Sequence, residues 1–396
     1  MAIGNKNKID IVKEIYFPHS LGLLYSAFTY YCGFKVNSGE YKLMGLAPYG
    51  VPKYKDIIKN NLIDIKPDGS FRLNQAYFDY AAGFKMTSRN FHILFGSEPR
   101  KINEPIKDFH MNLASSIQFV IEEIIFKICK SLKGEFNIKN LCLAGGVALN
   151  CVANGKILKE KLFENIWVQP ASGDAGGSLG CALNYWYNIK ENLRVVSDSD
   201  SMNGSYLGPE FNDVEIENQL NKIGAKYQKM NEDRLTEVVA TEIENGKAIG
   251  WFQGRMEFGP RALGSRSILA DSRSTEMQKN LNLKIKYRES FRPFAPIVLR
   301  EDLKEWFELD QDVPYMTFVA NVNKNKLINL EHDKAYSGLD KLKISNSTIP
   351  AVTHVDNSAR VQSVDEYRNK KLYKLLKKFK EKTGCPVMVN TSFNVR

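Results

Sequence analysis

Two glycine-rich turns constrain the fold most strongly. Each follows an apolar run that predicts a buried strand and precedes a segment that predicts a helix. Gly145 and Gly146 follow the apolar run 140–143, and the turn 173–177 follows the run 166–169. Strand, glycine turn and helix, given twice in succession, predict an α/β layer. Glycine admits a ligand close to the backbone, and the helix that follows offers unpaired N–H groups to an anion. A purely structural turn uses similar glycines, so either turn alone decides little.

Periodicity predicts further elements on both sides of these turns. Apolar residues have helical spacing over 20–32 and over 112–132. The segment 41–50, punctuated by glycine and proline, predicts a loop or a strand and turn. Cys142 and Cys181 stand in apolar runs and are expected in the core. The other predicted elements are helices near 148–162, 177–188, 233–245, 274–285 and 364–382, and strands near 248–252, 295–299, 315–321 and 386–390.

A polar segment rich in serine, aspartate and glycine, residues 191–208, predicts a linker. It divides the 396 residues into an N-terminal domain, 1–190, and a C-terminal domain, 209–396, each within the usual size of a domain. The six cysteines form no C-x-x-C pair, and no apolar run approaches a signal peptide or a membrane span. We therefore expect a cytoplasmic protein with no membrane partner.

Cationic side chains gather in a stretch that is also rich in glycine and proline. They are Arg255, Arg261, Arg266, Lys286, Arg288 and Arg292. The planar fork of arginine suits phosphate and carboxylate oxygens, so the stretch predicts an anion pocket. A solvated basic face is the alternative.

The formal net charge of +10 also raises the hypothesis of a nucleic-acid-binding protein. Residues 364–382 contribute much of this charge, and their apolar side chains share one helical face. Their lysines are therefore expected mostly to face solvent, and nucleic acid is not expected as a partner.

Three further features point to single residues. Asp174, at the mouth of the second glycine turn, either caps a helix or ligates a cation. Polar residues alternate over 351–364 and predict a strand with one face toward a site, although a lone histidine such as His354 is more often structural. The run 390–394 ends a predicted strand in short polar side chains, a common place for ligand contacts.

Eight segments, in order from residue 17 to the end, closely resemble the NodU/CmcH family of O-carbamoyltransferases. They read FPHSLGLLYSAFTYYCGF, YKLMGLAPYG, LAGGVALNCVANGKIL, QPASGDAGGSLGCAL, GWFQGRMEFGPRALGSRSILAD, YRESFRPFAPIV, AVTHVDNSARVQSV and CPVMVNTSFN. The resemblance implies a fold of class α/β and α+β, in which a partial ASKHA (actin/sugar-kinase-like) domain precedes a partial YrdC-like domain. It implies that the second domain forms carbamoyladenylate from carbamoyl phosphate and ATP, and that the first transfers the carbamoyl group to a hydroxyl of a sugar, glycan or natural product.

The resemblance also assigns residues. A K-x-R…S-x-N constellation for phosphate and nucleotide is matched by Lys286, Arg288, Ser392 and Asn394, and Arg261 joins them as a catalytic candidate. The nucleotide-binding candidates are Lys42, Gly145, Gly146, Asn150, Gly173 and Arg292. Asp174 matches a metal-ligating aspartate, so the resemblance favours the ligand over the cap. The implied cofactors are ATP, as a substrate, and a divalent metal, with iron as the expected ion.

The chain departs from the family pattern in its histidines. The family carries an H-x-x-x-H metal pair upstream of FPHSLG, whereas the histidines here are His19, His92, His110, His332 and His354, none so spaced. We therefore expect an internal part of a longer enzyme, which by itself transfers carbamoyl poorly. The alternatives are a tRNA threonylcarbamoylation-type factor, a kinase of the ASKHA type, or an inactive fragment.

Overall fold

The computed structural model of the chain describes residues 1–196, 199–328 and 336–394. They form two compact units, one of Met1–Val196 with Lys334–Lys343 and one of Ser197–Asp333 with Ile344–Arg396. Both units mix helices with strands, which confirms the α/β character predicted from the sequence.

The first unit surrounds a long central helix. Its strands are β1 (Ala2–Asn5), β2 (Lys8–Ile11), β3 (Ile63–Ile65), β4 (Phe71–Leu73), β5 (Asn140–Leu143) and β6 (Asn165–Val168). Its helices are α1 (Leu21–Tyr31), α2 (Glu40–Leu46), α3 (Lys55–Ile57), α4 (Arg89–Phe95), α5 (Asp108–Phe136), α6 (Cys151–Lys159) and α7 (Gly176–Asn184). The apolar stripe predicted on α5 is its buried face, with Leu113, Ile117 and Ile124 fully inaccessible to solvent.

The prediction of a loop or strand over 41–50 is wrong. Helix α2 occupies most of this segment, and a single 3₁₀ turn, Ala47–Tyr49, follows it. Leu43 and Leu46, three residues apart, are both fully buried. Burial of this pair offsets the low helix propensity of the intervening glycine.

The two glycine turns follow the parallel strands β5 and β6, as predicted, with Cys142 opposite Trp167 in the register. Leu141 packs on Cys129 of α5 and Ile157 of α6, so these helices cover one face of the sheet. Because side chains alternate along a strand, Cys142 lies on the other face and is exposed. Cys181 is also exposed. The prediction that both cysteines lie in the core is therefore wrong.

The second unit contains a five-stranded sheet. The strands of this unit are β7 (Ile249–Phe252), β8 (Arg266–Asp271), β9 (Ala295–Leu299), β10 (Val319–Asn321), β11 (Ser358–Arg360), β12 (Gln362–Val364) and β13 (Val387–Ser392). Its helices are α8 (Asp213–Lys222), α9 (Glu232–Glu244), α10 (Met277–Asn280), α11 (Leu303–Trp306) and α12 (Lys370–Thr383). The sheet order is β12-β9-β13-β8-β7, with β12 parallel to β9 and the other pairs antiparallel. The predicted strand over 351–364 is divided between β11, which pairs with β10, and β12.

Helix α12 buries the predicted apolar face, including Leu372, Leu375, Leu376 and Phe379. None of its lysines is buried, which agrees with the prediction that they mostly face solvent, but four of them also form ion pairs with acidic side chains outside the helix. Lys374 pairs with Glu232 of α9 at 2.5 Å, Lys378 and Lys382 pair with Glu237 of α9 at 3.7 and 2.6 Å, and Lys380 pairs with Asp302 at 2.7 Å. Much of this positive charge is therefore used within the unit.

No helix among the described residues is both long and apolar enough to cross a membrane.

Candidate functional site

The end of strand β13 and the turn after α10 meet at one buried lysine. Helix α10 continues as a π turn, Leu281–Ile285, which ends at Lys286. The lysine is only 3% exposed. Its ammonium donates to the Asn394 carbonyl at 2.6 Å and to Asn394 Oδ1 at 3.1 Å. It also donates to Ser392 Oγ at 3.3 Å and to the Ser392 carbonyl. Two distant stretches of sequence thus converge as the K-x-R…S-x-N pattern predicts.

Burial disfavours the charged form of Lys286, and the guanidinium groups of Arg288 and Arg292 act in the same direction. Together they lower the pKa of Lys286 to about 8. Few of the described lysines are buried to this extent, and four chain oxygens already surround the ammonium. A buried lysine with a shifted pKa beside two arginines is a candidate functional residue.

The two arginines beside Lys286 are held by their own turn. Arg288 donates from Nε to Asn282 Oδ1 at 2.7 Å, and its guanidinium lies 4.5 Å from the ring centroid of Phe294. The fully buried Asn282 also donates to the Arg292 carbonyl at 3.0 Å. Arg292 pairs with Glu289 at 3.5 Å. Asn282 therefore fixes the backbone of the loop that brings three cations together.

The loop 254–265 contains Arg261 and is organised by a buried carboxylate. Glu257 is 6% exposed, and its Oε1 accepts hydrogen bonds from the backbone N–H groups of Leu263, Ser265 and Arg266 at 2.7, 2.8 and 3.3 Å. A carboxylate that accepts several backbone N–H groups holds a loop in one conformation. No sequence pattern indicates this role of Glu257, because an acidic residue in a glycine-rich loop is usually solvated.

Side-chain amides of the sheet tie this loop to β12 and β13. Gln362 donates to the Leu263 carbonyl at 2.8 Å, and Asn390 donates to the Ala262 carbonyl at 3.0 Å. Arg261 is half-buried, and its backbone lies beside Asn390. Because Asn390 precedes Ser392 by two residues in β13, the Arg261 backbone lies near the end of that strand.

Two of the six cations predicted to form an anion pocket have other partners. Arg266 donates to the carbonyls of Gln253, Gly254, Ser265 and Pro209, and its guanidinium lies 3.5 Å from the ring centroid of Phe252. Arg255 pairs with Glu210 at 3.4 Å. Arg266, at the start of the unpredicted strand β8, therefore braces the loop, whereas Arg255 forms an exposed ion pair.

His354 has a structural setting. It is buried, its N–H donates to the Ser358 carbonyl at 2.8 Å, and its carbonyl accepts from Asn346 Nδ2 at 3.0 Å. It lies in the turn before β11 rather than within the predicted strand. These backbone bonds hold the turn before β11, and His354 Nδ1 lies 3.5 Å from Asp356 Oδ1.

The first unit brings its two glycine turns together. The N–H of Gly145 donates to the Ser172 carbonyl at 2.8 Å, so Gly145 and Gly173 lie at adjacent strand ends. Gly145 has φ +94°, which L residues rarely adopt, and the space beside both Gly145 and Gly146 is open. A Cβ at Gly173 meets only Leu149, at 4.0 Å. The backbone at Gly145 and Gly146 is therefore open, with no side chain close beside it.

Asn150 is engaged within the unit. Its Oδ1 caps α6 by accepting from Ala153 N–H at 3.1 Å, and it exchanges two amide hydrogen bonds with Gln118 of α5, both at 3.1 Å. Its place in the predicted nucleotide site is therefore to hold the helix that follows the first glycine turn. Lys42, on α2, is half-buried with its ammonium 6.0 Å from the ring centroid of Phe34.

Asp174 is exposed, and Ala175, not Asp174, is the N-cap of α7, with no side chain capping that helix. The cap reading of Asp174 is therefore wrong. Within the described ranges no three His, Cys, Asp or Glu side chains are grouped so as to hold a metal ion. His19 and His110 each accept a backbone N–H, from Leu73 and Lys107, and His332 lies outside the described residues. The described residues by themselves do not fit a metal centre.

Comparison with known proteins gives the same family for both units. The family model described as "Carbamoyltransferase N-terminus" matches residues 1–183, and that described as "Carbamoyltransferase C-terminus" matches residues 240–396.

Similar proteins occur in several bacteria. The chain is 55% identical to the uncharacterized protein sll1178 of Synechocystis, over 99% of the chain and 64% of the relative. It is 35% identical to nodulation protein NolO of Bradyrhizobium diazoefficiens, over 100% of the chain and 66% of the relative. It is 30% identical to the 3'-hydroxymethylcephem-O-carbamoyltransferase of Streptomyces clavuligerus, over 64% of the chain and 42% of the relative. The chain thus spans about two thirds or less of these relatives.

Proposed function

The chain belongs to the carbamoyltransferase family, and from that premise we propose that it takes part in O-carbamoylation through carbamoyladenylate. The C-terminal unit would form this intermediate, and the N-terminal unit would transfer its carbamoyl group to a hydroxyl. The observation that supports this most directly is Lys286, enclosed by Ser392 and Asn394 beside Arg288 and Arg292. On this proposal the two units are of the ASKHA and YrdC-like types.

The proposed reaction has three steps, and each forms one bond and breaks another. Water cleaves carbamoyl phosphate into carbamate and phosphate. A carbamate oxygen then attacks the α-phosphorus of ATP, and the bond to the β-phosphate breaks to release pyrophosphate. Finally the acceptor oxygen attacks the carbamoyl carbon, AMP leaves with the electron pair of the broken bond, and the hydroxyl proton passes to solvent or a base. Both donor substrates are polyanions, so clustered cations offset charge in the first two steps.

Each residue near Lys286 has a defined part in this proposal. The Lys286 ammonium has three protons and four chain oxygens within reach, so a phosphate oxygen would replace one of them. Ser392 and Asn394 then keep the lysine oriented, and Asn394 Oδ1 accepts from Ser392 Oγ at 2.6 Å. Arg288, Arg292 and Arg261 would bind the remaining phosphate oxygens.

In the N-terminal unit, Gly145, Gly146 and Gly173 would admit the nucleotide to the strand ends, and Lys42 would offset its charge. Asn150 would keep helix α6 in place behind the first turn. The family resemblance also implies a divalent metal, with iron as the expected ion; Asp174 would be one ligand, and its other ligands would have to come from outside the described residues.

For the carbamoyl acceptor we propose a chemical class rather than a single compound. The Streptomyces relative is named for a hydroxymethyl group on a cephem, and we propose a primary or secondary hydroxyl on a sugar, glycan or natural product for this chain. We place the protein in the cytoplasm, since all six cysteines are free.

Release of pyrophosphate from ATP tests the proposal. It should require carbamoyl phosphate, and it should fall at least a hundredfold in Lys286→Ala and Arg288→Ala. Lys284→Ala, in an exposed position two residues before Lys286, is the matched control and should keep wild-type release. Pyrophosphate release that needs threonine and bicarbonate instead would assign a threonylcarbamoylation-type factor. No release with either donor would overturn the assignment of an active adenylate-forming unit.

A further inference from the structure

The side chain of Asn390 is buried in the central strand of the five-stranded sheet, and one of its two polar atoms lacks a partner among the described residues. Asn390 is 2% exposed. Its nitrogen donates to the Ala262 carbonyl at 3.0 Å and to Gln362 Oε1 at 3.0 Å. Its oxygen, Oδ1, is enclosed and accepts no hydrogen bond from any described residue. Buried polar atoms are nearly always paired, so an unpaired one indicates stored strain, a functional role or a bound molecule.

Two backbone carbonyls fix the orientation of the Asn390 amide. Gln362 donates from Nε2 to the Leu263 carbonyl at 2.8 Å, so its Oε1 is the atom that faces Asn390. Both Gln362 Oε1 and the Ala262 carbonyl require a donor, and only the nitrogen of the Asn390 amide can donate to them. A flipped amide would place Oδ1 against two acceptors. The unpaired atom is therefore the oxygen, and its partner must be a group that carries an N–H or an O–H.

Asn390 lies on the same face of the sheet as Ser392. Side chains two positions apart on a strand point to one face and are about 7 Å apart. Ser392 Oγ accepts from the Lys286 ammonium at 3.3 Å. Lys286 and Asn390 are both enclosed, so a ligand would reach them by displacing chain oxygens from the ammonium. A small molecule with an anion at one end and N–H donors at the other can pair with both groups.

We propose that Asn390 Oδ1 accepts a hydrogen bond from the amino group of the carbamoyl donor and so selects a carbamoyl group over an acyl group. The inference rests on the proposed function, in which carbamoyl phosphate binds beside Lys286. The carbamoyl NH2 donates hydrogen bonds, whereas the methyl group of acetyl phosphate, which has the same shape, donates none. A site built to bond one ligand rejects an analogue without the donor, because its buried acceptor is then left unpaired. Clustered cations alone treat the two phosphates alike. The amino group is retained in carbamate and carbamoyladenylate, so one acceptor serves every step.

Calorimetric titration of the intact chain with carbamoyl phosphate and with acetyl phosphate tests the proposal. The wild-type chain should bind carbamoyl phosphate at least tenfold more tightly than acetyl phosphate. Asn390→Leu keeps the shape of the side chain but removes the acceptor. It should weaken binding of carbamoyl phosphate at least tenfold and binding of acetyl phosphate less than threefold, so that the two affinities become similar. Asn218→Leu, at an exposed position of α8 in the same unit, is the matched control and should keep the wild-type preference.

The comparison between ligands separates recognition from a structural role, since Asn390→Leu also removes the donors to Ala262 and Gln362. Loss of both affinities by the same factor would make Asn390 a structural residue and overturn the proposal. Equal binding of the two phosphates by the wild-type chain would overturn it without any variant, even where Asn390→Leu does not fold, and would assign Oδ1 to a water molecule. A wild-type chain that binds neither phosphate would contradict the proposed function itself, and this inference with it.

Discussion

The Lys286 ammonium donates a hydrogen bond to the carbonyl oxygen of Asn394 at 2.6 Å, across 108 positions of sequence. The contact joins the π turn after α10 to the end of β13. It brings a buried cation to the end of the central strand of the sheet, in which β12 and β13 support the loop of Arg261. This relationship gives the proposed adenylate-forming site its geometry.

Lys286 should make stability depend on pH in a defined window. Burial first, and then the charges of Arg288 and Arg292, lower its pKa from 10.5 to about 8. Between these values the folded chain has released this proton while the unfolded chain still binds it, so the free energy of unfolding should rise with pH. Urea denaturation at several pH values measures this rise. Lys286→Met should abolish it and Lys284→Met should retain it; an equal rise in both variants would contradict the assignment.

Glu257 should contribute strongly to the stability of the second unit. Glu257→Ala leaves three buried backbone N–H groups without their acceptor and should cost about 3 kcal/mol or more. Glu257→Gln keeps one acceptor oxygen and should cost about 1–2 kcal/mol. Urea denaturation gives both values. The exposed Glu276 is the control, and Glu276→Ala should change stability by less than about 0.5 kcal/mol. Equal effects at the two positions would show that the loop does not depend on Glu257.

Arg368 holds three carboxylates together, with Asp200 at 2.9 Å, Asp312 at 2.7 Å and Asp365 also in contact. Burial raises the pKa of Asp200, but hydrogen bonds from Tyr315, the Gly204 N–H and Arg368 outweigh burial and leave the pKa lowered. Its contribution to stability is therefore present above the unfolded pKa of about 4 and is lost as pH falls below it.

Arg368→Ala should cost about 3 kcal/mol at neutral pH, because it leaves the carboxylates close together without their cation. The cost should shrink as pH falls toward 4, where protonation relieves the repulsion. Thermal denaturation from pH 7 to pH 4 measures the trend. Lys371→Ala, on the exposed side of α12, is the control. A cost for Arg368→Ala that is independent of pH would contradict this account of the cluster.

Gly145 and Gly146 should respond differently to the same change. Gly145 has φ +94°, so Gly145→Ala should cost about 1–3 kcal/mol through backbone strain alone. Gly146 lacks a positive φ and has open space beside it, so Gly146→Ala should be nearly neutral for stability. Thermal unfolding of the two variants makes the comparison. Equal stability would show that the first turn does not need the left-handed backbone.

Much of the fold follows from the sequence where a pattern depends on one element alone. The apolar stripe of α5 and the runs before Gly145 and Gly173 gave their helix and strands because each pattern reflects a single buried face. The convergence of Lys286 with Ser392 and Asn394 was expected from family resemblance, and no local periodicity indicates it.

The contacts that the sequence does not predict involve residues that are distant from one another in the chain. The lysines of α12 have apolar neighbours at helical spacing, but nothing near them indicates that Glu232 and Glu237 of α9 lie opposite. The sequence suggests a solvated charge for Glu257 and an anion contact for Arg266, and only the folded loop shows that backbone groups are their partners. Cys142 was placed in the core because its neighbours are apolar, whereas strand alternation puts it on the open face.

Exchange of labelled pyrophosphate into ATP tests the central claim most directly, because it reports reversible formation of the adenylate without any acceptor. The intact chain should catalyse this exchange only with carbamoyl phosphate present. Lys286→Ala should abolish the exchange, and Lys284→Ala should leave it unchanged. Undiminished exchange in Lys286→Ala would contradict the account of Lys286, Ser392 and Asn394 as the adenylate-forming site.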